Sequence, residues 1–194
     1  MHRLVRRSCE AFLRATYGDA FWRDVAEAAG IDARGFSPAV RPGENPSHVL
    51  MREAAQRLGK PEHDLLEDLG AWLARLEPVR RLLRFSGRDF REFLQNLVEL
   101  PDHAHMVIPD LGLPDMTVTH EGSESIRVIL PRKRSEWSFA LAGIIRAMAD
   151  DYGVLGLIWV EDNAIHVLIS DCAFSAARDF RLGGEDAHRE TEAG

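Results

Sequence analysis

The sequence predicts an α+β fold, with a helical N-terminal half followed by a four-stranded antiparallel sheet that carries one helix. Apolar residues recur at helical spacing up to about residue 100, and apolar and polar residues alternate after residue 115. The 194 residues, 45% of them hydrophobic, are enough for one domain with its own core. We expect a single domain over residues 1–180 and a disordered acidic tail over 181–194.

Glycine and proline residues delimit the helices of the first half, residues 1–85. Gly18, Gly30 and Gly59 each follow a stretch of helical periodicity, which is the position of a C-terminal stop. Ser47 precedes another periodic stretch and is a predicted N-cap, and Pro61 is suited to opening a helix. The predicted helices are Leu4–Tyr17, Ala20–Ala29, His48–Leu58, Glu62–Leu76 and Pro78–Phe85.

The second half, residues 86–172, combines a strongly amphipathic helix with a β-β-α-β-β order. Arg88–Leu100 is predicted as one helix because its large apolar residues share a face. The turn Glu161–Asn163 joins two alternating stretches and indicates a hairpin. The predicted elements are strands Met116–Thr119, Ile126–Leu130, Val154–Val160 and Ile165–Ile169, with a helix at Ser135–Tyr152.

The composition excludes several classes of function. The net charge of −7 argues against nucleic acid or an anionic membrane as the main partner, because both need a cationic surface. No apolar run approaches the ~18 residues of a membrane span, and the N-terminus lacks an apolar signal core. Cys9 and Cys172 are too few for a disulfide framework or a four-cysteine zinc site. We therefore expect a cytoplasmic protein without a transmembrane segment.

Generic motifs give no catalytic constellation. The sequence lacks the glycine-rich, nucleophile-elbow and zinc-protease signatures, so we do not expect an enzyme. His103 and His105 form a His-x-His pair, but two residues on a helix point about 200° apart, and surface histidines are the default interpretation. A basic cluster over Arg80–Arg88 is a candidate docking face, with pairing to nearby carboxylates as the alternative.

Several strings go further and resemble one family. These strings are the opening MHRLVRRSCEAFLRATYGDAFW, the later Leu69-Gly70, LLRFSGRDFREFLQNLVEL (82–100), PDLGLP (109–114) and GIIRAMADDYG (143–153). The family that they resemble is the heme-nitric oxide/oxygen-binding family, H-NOX or HNOB. Its members are the sensor domains of soluble guanylate cyclases and standalone bacterial sensors. The resemblance implies a helical subdomain and an antiparallel sheet that hold heme b between them, with 82–100 containing the signalling helix.

The sequence departs from the family pattern in two places, the axial ligand position and the propionate-binding motif. Pro101 stands where the family has its axial histidine, and proline has no lone pair to offer iron. In the family's Tyr-x-Ser-x-Arg motif, which holds the heme propionates, Leu130 and Arg132 replace the tyrosine and serine, and Arg134 is retained. His105, one helical turn beyond Pro101, is the candidate substitute ligand.

The resemblance also assigns the remaining cofactor-binding positions. Arg134 and Arg132 are expected to face the propionates, and Pro114 to lie against the heme. Since the distal positions lack a tyrosine hydroxyl, a bound heme is expected to favour nitric oxide over oxygen. These distal positions are Val5, Cys9, Leu73 and Ala140.

Two functions remain open from the sequence. The first is a heme-dependent nitric oxide sensor that acts in trans on a histidine kinase, a diguanylate cyclase or a cyclase, as the resemblance implies. The alternative is a heme-free regulatory interaction module, whose pocket is either collapsed or filled by another apolar ligand. In the collapsed case, the volume would be taken by Phe90, Phe93, Trp137 and Phe139.

Overall fold

The computed structural model describes residues 3–31, 45–107, 113–122, 124–132, 136–162 and 164–170. The predicted acidic tail lies outside these residues. The elements, in chain order, are α1 (Arg3–Ala28), α2 (Pro46–Leu58), α3 (Glu62–Arg75), α4 (Glu77–Phe85), α5 (Phe90–Gln95), a 3-10 turn (Asn96–Glu99), α6 (Leu100–Val107), β1 (Thr117–His120), β2 (Ser125–Ile129), α7 (Glu136–Tyr152), β3 (Gly156–Glu161) and β4 (Ala164–Ile169). The predicted α+β class is confirmed.

The helix boundaries follow local chemistry, with one correction. Gly18 interrupts α1 with φ 89° and ψ 165°, and Gly59 ends α2 in the left-handed region, as predicted. The prediction that Ser47 caps α2 is wrong. Asn45 is the cap, because its extended backbone allows its side chain to accept the Ser47 N–H, while Pro46 occupies the first helical position. Ser47 is buried inside the helix.

The amphipathic stretch 88–100 is not one helix. Asp89 caps α5, which ends at Gln95 and passes through the 3-10 turn into α6. Pro101 supplies a physical reason, because proline cannot donate to the carbonyl four residues earlier and its ring collides with it. The helical path then continues beyond the predicted end, to Val107.

The sheet is antiparallel, in the order β1-β2-β4-β3. Its buried face packs against α7 and α5 with the side chains of β2 and β4 alternating between core and exterior. β3 is an edge strand, and the Arg146 guanidinium on α7 donates to the Ile158 carbonyl at 2.8 Å. Such a cation on an edge opposes pairing with a further strand.

Two hydrophobic cores meet at α7. One core lies among α1, α2 and α3, and the other lies between the sheet and α4 to α7. Trp137 packs against both. α3 crosses α7 with backbones in contact, because a Cβ on Gly70 would overlap the Ala140 carbonyl and a Cβ on Gly143 would overlap the Glu67 carbonyl. The crossing therefore fixes the helical half relative to the sheet half.

Candidate ligand-binding cavity

A cavity of about 260 Å³ lies between the helical half and the sheet half. Every helix of the described chain except α5 contributes to it, together with residues 113–116 and the end of β2. Its lining is mostly apolar, as in small-molecule sites. The lining residues are Val5, Ser8, Cys9, Ser47, His48, Met51, Glu62, Leu66, Leu69, Leu73, Val79, Leu82, Leu83, Leu100, Ala104, Leu113, Pro114, Met116, Leu130, Trp137, Ala140, Leu141 and Ile144.

The two sides of this cavity differ in polarity. Hydroxyl, imidazole and carboxyl groups come from α1, α2 and the first turn of α3, at Ser8, Ser47, His48 and Glu62. The lining contributed by α4, α6, residues 113–116 and Leu130 carries only apolar side chains. A ligand with one polar group and an apolar body suits this distribution better than a uniformly polar one.

Cys9 is the thiol of the cavity. Burial raises its pKa to about 12, and a backbone hydrogen bond offsets this only in part. The thiol is therefore protonated at neutral pH. Because the thiolate is the form that attacks electrophiles and binds metals, Cys9 serves here as a small apolar lining residue.

Trp137, in the first turn of α7, is a further lining residue. Its indole is half-buried, but the Nε1 atom is shielded from solvent and has no hydrogen-bond partner among the residues that the structure describes. Trp22 has a similar unpartnered Nε1, yet it belongs to the helical core and is not among the lining residues.

Five of the sequence-predicted cofactor-binding residues lie together in the cavity lining. They are Val5, Cys9, Leu73, Pro114 and Ala140. Arg132 is exposed and does not line the cavity, and Arg134 lies outside the described residues. The cofactor roles of all these residues remain predictions.

The histidines of α6 do not reach the cavity. The α6 residues that line the cavity are Leu100 and Ala104. They lie four residues apart on one helix face, and both are buried. Pro101 and His103 are half-buried outside the lining, and His105 is exposed. The rotation of α6 therefore places the candidate ligand His105 away from the pocket.

Sequence reasoning missed His48, Trp137, Leu100 and Ala104 as lining residues. His48 is the one imidazole in the described lining, but it looks in the sequence like an ordinary residue of an amphipathic helix. Among the aromatic residues proposed to collapse the pocket, Phe90 and Phe93 pack into the sheet core beside Tyr152. Phe139 contacts His63. The pocket is therefore not collapsed.

The predicted basic docking face is largely paired within the chain. The Arg80 guanidinium donates to Asp151 at 2.6 Å, Arg84 lies 4.1 Å from the centre of the Tyr152 ring, and Arg88 contacts Glu92 at 3.0 Å. The Arg88 contact lowers the pKa of Glu92, chiefly through the side-chain hydrogen bond. Arg84 also lies 3.6 Å from the Asp151 carboxylate, so local pairing with carboxylates describes Arg80, Arg84 and Arg88.

Comparison with known proteins assigns the family. The model of the haem-NO-binding family, HNOB, matches residues 2–154. The chain belongs to the haem-NO-binding family. This agrees with the resemblance drawn from the motifs, and H-NOX domains of this family are sensors rather than catalytic domains.

Relatives are distant in sequence and close in fold. A soluble guanylate cyclase of Caenorhabditis elegans, gcy-31, is 24% identical over 155 residues, which is 78% of this chain and 22% of the cyclase. The chain thus spans about a fifth of that relative. An H-NOX protein from S. oneidensis in the Fe(II) state has a TM-score of 0.73 at 15% identity, covering 88% of this chain and 97% of that one. An unliganded Fe(II) H-NOX protein from K. algicida scores 0.72 at 14% identity, covering 90% and 99%.

The residues present do not fit a heme held in the manner the family resemblance implies. Leu100 and Ala104 offer no donor on the α6 side, and buried Leu130 stands at the tyrosine position. No group of three or more histidine, cysteine or acidic residues that could hold a metal occurs within the described ranges. Among the described helices, none combines the length and hydropathy needed to cross a bilayer.

Proposed function

We propose that this chain is a regulatory sensor domain whose signal is the occupancy of the cavity by an apolar ligand. The observation that carries the proposal is the cavity itself, which persists between two well-packed cores. Its lining is mostly apolar and about 260 Å³ is room for a small molecule, so an apolar ligand that displaces loosely held water from it is favoured.

α6 is the element through which occupancy would be passed on. Leu100 and Ala104 line the cavity, while Met106 at the far end of the same helix is 75% exposed. A ligand that contacts the inner residues changes the position or stability of a helix whose other side faces solvent. The partner would be a signalling protein in trans, such as a histidine kinase, a diguanylate cyclase or a cyclase.

A heme-dependent nitric oxide sensor is the second candidate function. Family membership favours it, and one observation in the cavity does so too, since the His48 imidazole is part of the lining. The heme iron would need a ligand at a different position from the one that the family motif implies, because the α6 side chains in the lining offer no donor atom to iron.

A titration with N-phenyl-1-naphthylamine, an apolar dye that fluoresces in apolar surroundings, tests the first proposal. We expect saturable 1:1 binding to the full chain. Ala104→Phe, which adds a ring in the cavity, should abolish it, whereas Ala11→Phe, on the exposed face of α1, should not. Hydrogen exchange should slow in 96–107 when the dye is bound. Absence of binding, or equal binding to Ala104→Phe, would overturn the proposal.

A further inference from the structure

The outer face of β3 carries a row of exposed apolar side chains. Leu155 is 77% exposed, Leu157 64% and Trp159 41%. Leu155 precedes β3 but continues its ladder, because the Ser170 N–H donates to the Leu155 carbonyl at 2.9 Å. Strand alternation puts the three side chains on the side of the sheet away from α7, whereas Ile158 between them packs against the sheet core. The row belongs to neither hydrophobic core and does not line the cavity.

Neighbouring β4 extends this row into a patch. Leu168 pairs with Leu157 in the ladder and is only half-buried. His166 pairs with Trp159, and the two rings stack with centroids 4.9 Å apart and planes 11° apart. The stack orients the indole before any partner binds, and tryptophan is a frequent anchor of protein interfaces. Leu155, Leu157, Trp159 and Leu168 together form the β3 patch, and apolar residues exposed side by side mark an interaction surface where single ones do not.

The β3 patch is suited to a partner that lies across the face of the sheet. The edge of β3 is partly occupied, because the Arg146 guanidinium donates to the Ile158 carbonyl at 2.8 Å. An added strand would have to displace this guanidinium to pair with β3. An amphipathic helix, which binds through its apolar side chains and needs no backbone hydrogen bonds from the sheet, meets no such obstacle.

The charges around the β3 patch are acidic. Arg127, which faces outward from β2, is paired with Glu121. Glu124, Glu161 and Asp162 are exposed, and none of them has a cation at ion-pair distance within the described ranges. A partner with basic residues beside its apolar side chains is therefore complementary to this surface. Arginine has a further advantage, because its guanidinium stacks on the face of an indole.

We propose that the β3 patch docks an amphipathic helix of a partner protein, whose apolar face is bordered by arginine residues. The leucines of the patch cover the apolar face of that helix, one arginine stacks on the exposed part of Trp159, and another pairs with Glu161. The site is a surface apart from the cavity, so the docking does not require a ligand in the cavity.

Fluorescence anisotropy with two labelled helical peptides and the full chain tests this proposal. Both peptides carry leucine at positions i, i+3, i+4 and i+7, and the residues that border this face are arginine in one peptide and glutamate in the other. We expect 1:1 binding of the arginine peptide and binding of the glutamate peptide that is about tenfold weaker or more. Leu157→Gln should weaken the arginine peptide about tenfold, the value of burying one leucine. Because Leu157 is exposed, this variant should keep the fold.

The matched control is Phe85→Gln, which places the same polar side chain at an apolar position of α4 that is 87% exposed. It should leave the affinity for the arginine peptide within about twofold. The indole ¹H–¹⁵N resonance of Trp159, assigned with Trp159→Phe, should shift with the arginine peptide and not with the glutamate peptide. Equal affinities of the two peptides, equal binding to Leu157→Gln, or no binding of the arginine peptide would overturn the proposal. So would sedimentation that shows a wild-type dimer and a Leu157→Gln monomer, because a second copy would then occupy the patch.

Discussion

The two sides of the cavity are built in opposite ways. On one side, α3 and α7 cross with their backbones in contact at Gly70 and Gly143, so the position of each helix is set by the other. On the other side, the 90–107 segment is two short helices joined by a 3-10 turn. The segment packs through buried side chains such as Phe93, Leu94 and Leu97, and the chain just before it accepts a hydrogen bond from Tyr152. The difference indicates that the α3–α7 crossing holds the cavity open, and that the 90–107 segment is the part that a bound ligand can move.

The largest effect is expected at the crossing. Gly70→Ala gains helix propensity, but its methyl group would overlap the Ala140 carbonyl, which belongs to a backbone that cannot rotate away. We expect a loss of about 3 kcal/mol in the free energy of unfolding, measured by urea denaturation. A neutral or stabilising result would show that the helices separate easily, and would remove the contrast between the two sides.

Cys9, on the α1 wall of the cavity, predicts a dependence of stability on pH. The folded-state pKa is about 12, against an ordinary value of 9.0, so below pH 9 both states hold the proton and this stabilisation is fully present. As pH rises from 9 towards 12, the unfolded chain releases the proton first. The free energy of unfolding should fall by up to about 1.4 kcal/mol per pH unit. Cys9→Ala should lack this part of the slope, and identical slopes in the two proteins would contradict the burial of the thiol.

A smaller effect is expected where the 90–107 segment is tied to α7. The Tyr152 hydroxyl donates to the Gly87 carbonyl at 2.6 Å, just before α5 begins. Tyr152→Phe removes this bond and keeps the ring that packs on Phe90 and Phe93. We expect a loss of about 1 kcal/mol and faster hydrogen exchange in 90–107, with α3 and α7 unaffected. Exchange that increases equally in all three regions would mean that the two sides respond as one body.

Much of the fold could be predicted from the sequence, because the informative residues act locally. Gly18 and Gly59 mark helix ends through their own backbone angles, and the alternation in β2 and β4 reflects which face of the sheet is buried. The interruption of 88–100 is harder to predict, because Pro101 lies just beyond the predicted end of that helix and acts on the backbone turn before it.

The cavity was harder to predict because its lining depends on how helices rotate about their axes. The family resemblance located Val5 and Ala140. It could not show that Ala104 rather than His105 faces inward, or that Trp137 lines the cavity instead of filling it. The unpartnered indole N–H is a tertiary feature, because it depends on acceptors that are absent from its described surroundings.

The most direct test of the account is an absorption titration of the full chain with hemin, carried out in parallel on the wild type, His105→Ala and His48→Ala. The α6 residues in the lining are Leu100 and Ala104, and His105 is exposed. We therefore expect the same hemin spectrum and affinity for the wild type and His105→Ala. Loss of the Soret band of a coordinated heme in His105→Ala alone would contradict it, because the α6 histidine would then be the ligand.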